Sequence, residues 1–328
     1  MPEPELSVPA DLRALLTRPT GDVLLLGHAH PDGDQLGSLL GLGLALGAAG
    51  WPVTLAGPDP VPEPLRFLPG SALFQQWRTP SGRFDLVIVC DCPDPRRTGG
   101  LLEGARGPTT RVVNIDHHPD NSRYGTVNWI DVSASAAGEM VYGLILVLGL
   151  KITPQVATNL FTAIHTDTGS FRYANASAKA FRIAAELVVR GADPAHIATQ
   201  LYETRRPESL ALLGRLLQQI QISADGLVAW LALPAGSAPE AFLQAEDLVS
   251  YARSVGSAKV GLVLREVEQR RVKVSLRGKG EVPVNAIAAR FGGGGHANAA
   301  GCTVEGSLDE VTARVLGAIA EALGRPAR

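Results

Sequence analysis

The sequence predicts an α/β domain built on a parallel sheet with helices on both faces, followed by a smaller α+β domain, and three observations lead there. In the first part of the chain, short runs rich in Val, Ile and Leu alternate with longer apolar patterns of helical spacing, the signature of strands joined by crossover helices. In the last third, strands follow one another in series before a closing helix. The length, 328 residues at 45% apolar content, suits two domains with separate cores.

The first domain is placed at residues 1–190. Its strands are read at Val23–Gly27, Pro52–Ala56, Leu86–Cys90 and Arg111–Ile115, each bounded by Gly, Pro or Asp. Its helices are read at Ser38–Ala49, Gly138–Leu148, Pro154–His165 and Ser177–Arg190; the last opens on a serine suited to an N-cap and stops at Gly191. Residues 191–219 read as a helical connector, with helical patterns at Ala195–Glu203 and from Glu208 to Gln219 around an Arg-Arg-Pro turn at Arg205–Pro207. In the second domain, 220–328, strands at Leu227–Leu233, Lys259–Val267 and Arg271–Leu276 precede a Gly-rich turn at Gly292–Gly295 and a helix at Leu308–Leu323.

A formal charge of −2 excludes a uniformly basic coat for nucleic acid, although charge is concentrated locally: residues 251–290 hold nine Lys/Arg against three Glu. Three cysteines, Cys90, Cys92 and Cys302, are too few for a disulfide framework and lack the paired spacing of a structural zinc site. The amino terminus carries acidic residues and prolines where an export signal would be basic and then apolar. The longest apolar stretches, Leu39 to Gly50 and Val141 to Leu150, fall short of the ~20 residues a membrane span needs. The expectation is a cytoplasmic protein with no membrane partner.

The chemistry lies where the strands end. Three of them finish in His28-Ala29-His30-Pro31-Asp32-Gly33-Asp34, in Asp91, and in Asp116-His117-His118. Ligands of open α/β sheets bind at the carboxyl ends of strands, so these clusters are expected to meet in one crevice. Asp167, which closes an apolar helix, is placed to join them. Mixed imidazole and carboxylate donors suit Mn²⁺, Zn²⁺ or Fe²⁺, and a carboxylate-rich set shared by two ions is how phosphoester hydrolases clamp the attacking and leaving oxygens. Any one of these residues alone would read as a helix cap or a surface polar group. No GxSxG elbow offers a competing nucleophile.

The segments Gly27–Ser38 (GHAHPDGDQLGS), Val87–Asp91 (VIVCD), Asn114–His118 (NIDHH) and Asp167–Tyr173 (DTGSFRY) resemble the DHH phosphoesterase family in the expected order. The later segments Val274–Gly280 (VSLRGKG), Val284–Phe291 (VNAIAARF) and Gly292–Gly301 (GGGGHANAAG) resemble its companion DHHA1 domain. The resemblance implies that His28, Asp32 and Asp91 hold one divalent metal ion and Asp34, Asp91, His117 and Asp167 a second, with Asp91 bridging and Mn²⁺ as the expected ion. It makes Asp116 a supporting residue able to orient a ligating histidine. His118 is placed to hydrogen-bond a phosphate oxygen or to assist proton transfer to the leaving group. His30 receives no role. The implied chemistry is direct attack of an activated water on phosphorus, without a covalent intermediate.

Gly293, Gly294 and Gly295 can present backbone N–H groups to an anion at close range, and with His296, Arg265 and Arg277 they form the expected substrate-binding set. Gly278 stands where the family commonly has a serine, and Ala136 where relatives often have a threonine; the latter change affects either a contact near the metals or a helix cap. Arg96 and Arg97 are either substrate contacts or loop residues. Phe171 and Tyr173 either stack on a base or, for Phe171, pack in the core.

A DHH and DHHA1 pair of this length resembles the bifunctional oligoribonucleases that degrade very short RNA to 5′-mononucleotides and dephosphorylate 3′-phosphoadenosine 5′-phosphate. The expected partners are short RNA or DNA oligonucleotides and nucleoside bisphosphates, with pairing into a homodimer through the DHH domain compatible with the family. Three rival readings share these residues: a phosphodiesterase for cyclic or linear dinucleotides, a single-strand DNA exonuclease of the RecJ kind, which usually adds an OB domain, and a catalytically silent nucleotide sensor.

Overall fold

The computed structural model describes residues 8–17, 21–239, 242, 248–280 and 282–324; much of the amino-terminal stretch inspected for an export signal lies outside the described residues. Two compact units meet in sequence between Thr204 and Arg205, so the segment 191–219 gives one helix to each.

The first unit opens with α1 (Ala10–Leu15), β1 (Val23–Leu26), α2 (Gly33–Ala48), β2 (Val53–Gly57) and β3 (Phe74–Gln76). It continues with β4 (Leu86–Cys90), α3 (Leu101–Ala105), β5 (Arg111–Asp116) and β6 (Val127–Ile130), and ends with α4 (Ala137–Val147), α5 (Pro154–Asp167), α6 (Ala178–Val189) and α7 (Pro194–Tyr202). The strands form one parallel sheet in the order β3-β2-β1-β4-β5-β6. Strand order reverses between β1 and β4, which opens the ligand crevice of a doubly wound sheet beside the carboxyl ends of β1, β4 and β5. Alternate side chains serve opposite faces: Val23, Leu25, Ile88 and Val113 pack with α2, α4 and α5, whereas Leu24, Leu26, Val87, Val89 and Val112 pack against Leu101, Leu102 and Ala105 of α3. The sheet is therefore covered on both faces, as the sequence predicts.

The second helix begins five residues earlier than the sequence reading places it. Asp32 takes its N-cap position, and the carboxylate accepts the N–H of Gln35 at 3.0 Å. Glycines in this segment weigh against a helix by propensity, but tertiary packing overrides that preference. A Cβ at Gly33 would lie 2.4 Å from Thr166 Oγ1, one at Gly37 2.4 Å from the Asn159 carbonyl oxygen, and one at Gly41 2.9 Å from Leu160. Spaced four apart, these glycines form one stripe along α2, against which α5 lies at backbone distance. Gly138 does the same for α4, since a Cβ there would sit 2.4 Å from that of Ala163 on α5. Three helices are thus locked together directly behind the crevice. The edge strands β3 and β6 are short and carry Gln and Asn, so apolar alternation gave no sign of them.

The second unit comprises α8 (Pro207–Leu217), β7 (Gln221–Ile222), β8 (Val228–Leu233), α9 (Leu248–Ser254), β9 (Val260–Glu268), β10 (Arg271–Gly278), α10 (Val284–Ala289), β11 (Gly294–His296), β12 (Ala299–Glu305) and α11 (Leu308–Ala322). Its sheet runs β11-β12-β10-β9-β8-β7, with β8 and β9 parallel and the other neighbours antiparallel. Val272, Val274 and Leu276 face α10 and α11, while Leu231, Leu233 and Val263 face α8 and α9. Strand β12 escaped the sequence reading because its inward residues Ala300, Cys302 and Val304 follow directly on the glycine run. No helix among the described residues is long and apolar enough to cross a membrane.

The glycine stripe makes a paired prediction. Gly37→Ala must push against backbone and is expected to destabilise the first unit by about 1–3 kcal/mol. Gly47→Ala, on the same helix with nothing within 4 Å, is expected to stabilise it by about 0.5–1 kcal/mol. Urea unfolding followed by circular dichroism checks both; equal effects would contradict the packing account.

Candidate active site

Adjacent strands β1, β4 and β5 deliver His28, Asp91 and Asp116-His117-His118 to one crevice. The first turn of α2 adds Asp34, its cap adds Asp32, and the last residue of α5 adds Asp167. One donor atom from each of His28, Asp32 and Asp91 lies within 4.8 Å of the others, and so do donor atoms of Asp34, His117 and Asp167. Asp91 touches both groups: its Oδ2 is 3.8 Å from Nε2 of His28, and its Oδ1 is 3.4 Å from Nε2 of His117. His117 Nε2 is also 3.5 Å from Asp34 and 3.8 Å from Asp167. His28, Asp34, Asp91 and His117 are buried.

The imidazoles are oriented by carbonyl groups, which can only accept. Nδ1 of His28 donates to the carbonyl of Ala29 at 2.7 Å, and Nδ1 of His117 to that of Ala134 at 3.1 Å. Each ring therefore turns Nε2 toward carboxylate oxygens. A lone pair among carboxylates is repelled unless a proton or a metal ion lies between them. Asp91 Oδ1 is buried and makes no hydrogen bond among the described residues. The residue itself sits in the left-handed region at φ 56°, an uncommon conformation for a side-chain-bearing residue and one that aims the carboxylate back over the strand ends. This donor set fits divalent cations in both chemistry and orientation.

The charges record the crowding. Burial, followed by the Asp91 charge, holds the Asp34 carboxyl well above the ordinary range. Burial also lifts Asp167 to about 6, helped by Asp91 and Asp32 and opposed by His117. Burial raises Asp91 too, but contacts from His117 and His28 outweigh it and hold this carboxyl well below the usual range. His117 is raised despite burial, by Asp91, Asp167 and Asp34.

Asp34 also caps a helix it does not belong to. Its two oxygens accept the N–H groups of Ala137 (2.7 Å) and Gly138 (2.9 Å) at the start of α4, whose own N-cap, Ala136, supplies no side chain. Asp34 thus provides the cap that the Ala136 methyl cannot.

Asp116 supports His118 rather than His117. Its Oδ1 accepts Nδ1–H of His118 at 2.8 Å and the backbone N–H of His117 at 2.8 Å. Burial works against charge on His118, yet the Asp116 contact raises its pKa. The sequence reading missed the network behind this pair. Asn121 donates to Asp116 Oδ2 and, at 2.8 Å, to Asn114 Oδ1; Asn114 and the Tyr124 hydroxyl both reach the Cys92 carbonyl. Its one sequence signal was two asparagines flanking the Asp-His-His triplet, as polar residues at a buried strand end.

His30 lies outside the cluster, exposed beside Asp59. Arg96 is exposed and paired with Asp94, whereas Arg97 reaches His28. Phe171 packs against Phe161, His165 and Phe181, which supports its core reading.

In the second unit, Arg277 pairs in register with Ala299, and Ala299 with His296, so Arg277 and His296 share one face of the sheet. Gly294 lies on that face in β11. Gly293 and Gly295 are required by the backbone: a Cβ at Gly293 would fall 2.1 Å from the Gly301 carbonyl oxygen, and Gly295 adopts φ 129°. Arg265 is buried opposite Lys273, four residues along β10 from Arg277 and so about 13 Å from it at strand spacing.

A doubly wound sheet whose strand ends converge in this way on an Asp-His-His triplet defines a class, and the chain belongs to the DHH family. Residues 22–164 match the DHH family N-terminal domain and residues 244–324 the DHHA1 domain. Among its relatives is the bifunctional oligoribonuclease and PAP phosphatase NrnA of Thermus thermophilus, 38% identical over 309 residues, 93% of this chain and 91% of that protein. The protein of the same name from Bacillus subtilis is 29% identical over 86% of this chain and 89% of its own. The crystal structure of an exopolyphosphatase-related protein from Bacteroides fragilis superposes with a TM-score of 0.82 at 26% identity, covering 96% of this chain and 95% of that one.

The raised carboxyl of Asp167 makes a test in chelator-treated protein. Its folded pKa of about 6 exceeds the ordinary 3.8, so its charge opposes folding fully above pH about 6, and the penalty fades as pH falls toward about 4. Asp167→Asn is therefore expected to melt higher than wild type at neutral pH and to lose that advantage near pH 4. A pH-independent difference in melting temperature would contradict the assignment.

Proposed function

We propose that this chain is a two-metal phosphoesterase that degrades very short oligonucleotides to 5′-mononucleotides and removes the 3′-phosphate of 3′-phosphoadenosine 5′-phosphate. The observation that carries this reading is the sharing of Asp91 between two ligand groups that meet at the switch point of the sheet. In this reading His28, Asp32 and Asp91 hold one ion and Asp34, Asp91, His117 and Asp167 the other, with Mn²⁺ the preferred metal. When bound, the ions supply acidity to water and offset charge on the phosphoryl oxygens. The residues of the chain do the rest.

In this reading His118, oriented by Asp116 through Nδ1, hydrogen-bonds a phosphoryl oxygen or passes a proton to the departing oxygen. The Asn121 and Asn114 amides fix the plane of the Asp116 carboxylate, and so the direction of that ring. Arg277, His296 and the backbone of Gly293–Gly295 give the second unit an anion-binding face for the substrate's phosphates. Arg265, being buried and distant from Arg277, serves that face less directly. Similarity along most of the chain to relatives named as bifunctional oligoribonucleases and PAP phosphatases supports the substrate class. Three buried free cysteines fit the reducing interior of a cell.

The test is hydrolysis of 5′-labelled RNA of two, five and twenty-four nucleotides, 3′-phosphoadenosine 5′-phosphate and a cyclic dinucleotide, each with Mn²⁺ and with chelator. The expected result is metal-dependent turnover that is highest on the shortest RNAs, with release of phosphate from the bisphosphate. Dominant turnover of the cyclic substrate would move the protein to cyclic-dinucleotide breakdown, and preference for the longest RNA would contradict the reading.

A further inference from the structure

Two adjacent arginines in the turn after β4 have different surroundings. Arg96 is exposed, and its Nε lies 3.0 and 2.9 Å from the two carboxylate oxygens of Asp94. Arg97 points toward the crevice, with Nη2 3.3 Å from Nδ1 and 3.4 Å from Nε2 of His28. Its backbone is fixed on both sides. The carbonyl accepts the N–H of Ala29 at 2.7 Å, and the N–H donates to the Asp94 carbonyl at 3.0 Å.

The guanidinium makes only long contacts with the ring, at 3.3 and 3.4 Å. Nδ1 of His28 already donates to Ala29, and Nε2 faces Asp91. An atom equidistant from both ring nitrogens lies on the plane that bisects them, in line with neither lone pair. A permanent positive charge therefore stands beside an imidazole of the cation-binding group, where it opposes the binding of a divalent cation. Asp94, the acid of the same turn, is engaged by Arg96. With divalent ions bound, a cation in this position is favourable when an anion is shared between it and the metals, and the planar fork of a guanidinium matches phosphoryl oxygens.

We propose that Arg97 is a further catalytic residue, which donates to a non-bridging phosphoryl oxygen of the substrate from the His28 side of the crevice. The inference rests on the phosphoesterase reading above, and its test has two arms that do not depend on which ester is cleaved. In chelator-stripped protein titrated with Mn²⁺ by calorimetry, Arg97→Gln is expected to bind the metal at least as tightly as wild type, because a like charge has been removed. With Mn²⁺ saturating, affinity for inorganic phosphate is expected to fall about tenfold or more, a loss of roughly 1.4 kcal/mol. Turnover of a short RNA is expected to fall about a hundredfold or more, with Arg97→Lys recovering part of both losses.

Weaker Mn²⁺ binding, with turnover restored by excess Mn²⁺, would overturn the proposal and leave Arg97 as a support for His28. Unchanged phosphate affinity would overturn it as well. If Arg97→Gln does not fold, Arg97→Met decides: unimpaired phosphate binding and turnover in that variant would overturn the proposal. A wild-type protein inactive on short RNA would defeat the functional reading, while the Mn²⁺ and phosphate arms would still judge Arg97.

Discussion

Mutual repulsion among Asp32, Asp34, Asp91 and Asp167 is the constraint around which the first unit is arranged. Four carboxylates sit near two imidazoles whose Nδ1 atoms are committed to backbone carbonyls, so neither ring can turn away from them. Burial first, and the neighbouring carboxylates after it, make Asp34 and Asp167 titrate high, while Asp91, gripped from both sides, stays ionised. Such an arrangement costs stability in the metal-free protein and becomes favourable when divalent ions are bound.

Holding like charges together requires a rigid frame, and the glycine stripe of α2 provides it. With no side chains between the helices, α5 and α2 fix Asp167 and Asp34 relative to each other. The amino end of α4 completes the arrangement by donating two N–H groups to Asp34. One aspartate of a donor group that could hold a cation thereby also caps a neighbouring helix and ties two helices together. The strand ends set the remaining positions, because β1, β4 and β5 are neighbours in the sheet although they are far apart in the sequence.

Much of this was legible in the residues. The apolar runs of β1, β4 and β5 located the strand ends, and with them the place where the His and Asp clusters converge. The start of α2 was not legible, since Gly33 and Gly37 argue against a helix locally and only the approach of α5 explains them. Nor could the sequence say which histidine Asp116 supports: adjacent residues on a strand end point in different directions, and the choice of His118 depends on backbone geometry at the turn. The asparagines behind Asp116 were hidden for a similar reason, because a buried amide is recognised by its partners and not by its spacing. Arg96 and Arg97 read alike in sequence, yet Asp94 engages one and leaves the other facing His28.

The central claim is that Asp91 joins two cation sites into one, and counting metal ions tests it most directly. Native mass spectrometry of the protein exchanged into Mn²⁺ should show two ions per chain, and Asp91→Asn should lose both at metal concentrations that saturate the wild type. One ion per wild-type chain, or an Asp91→Asn variant that keeps two, would contradict the account.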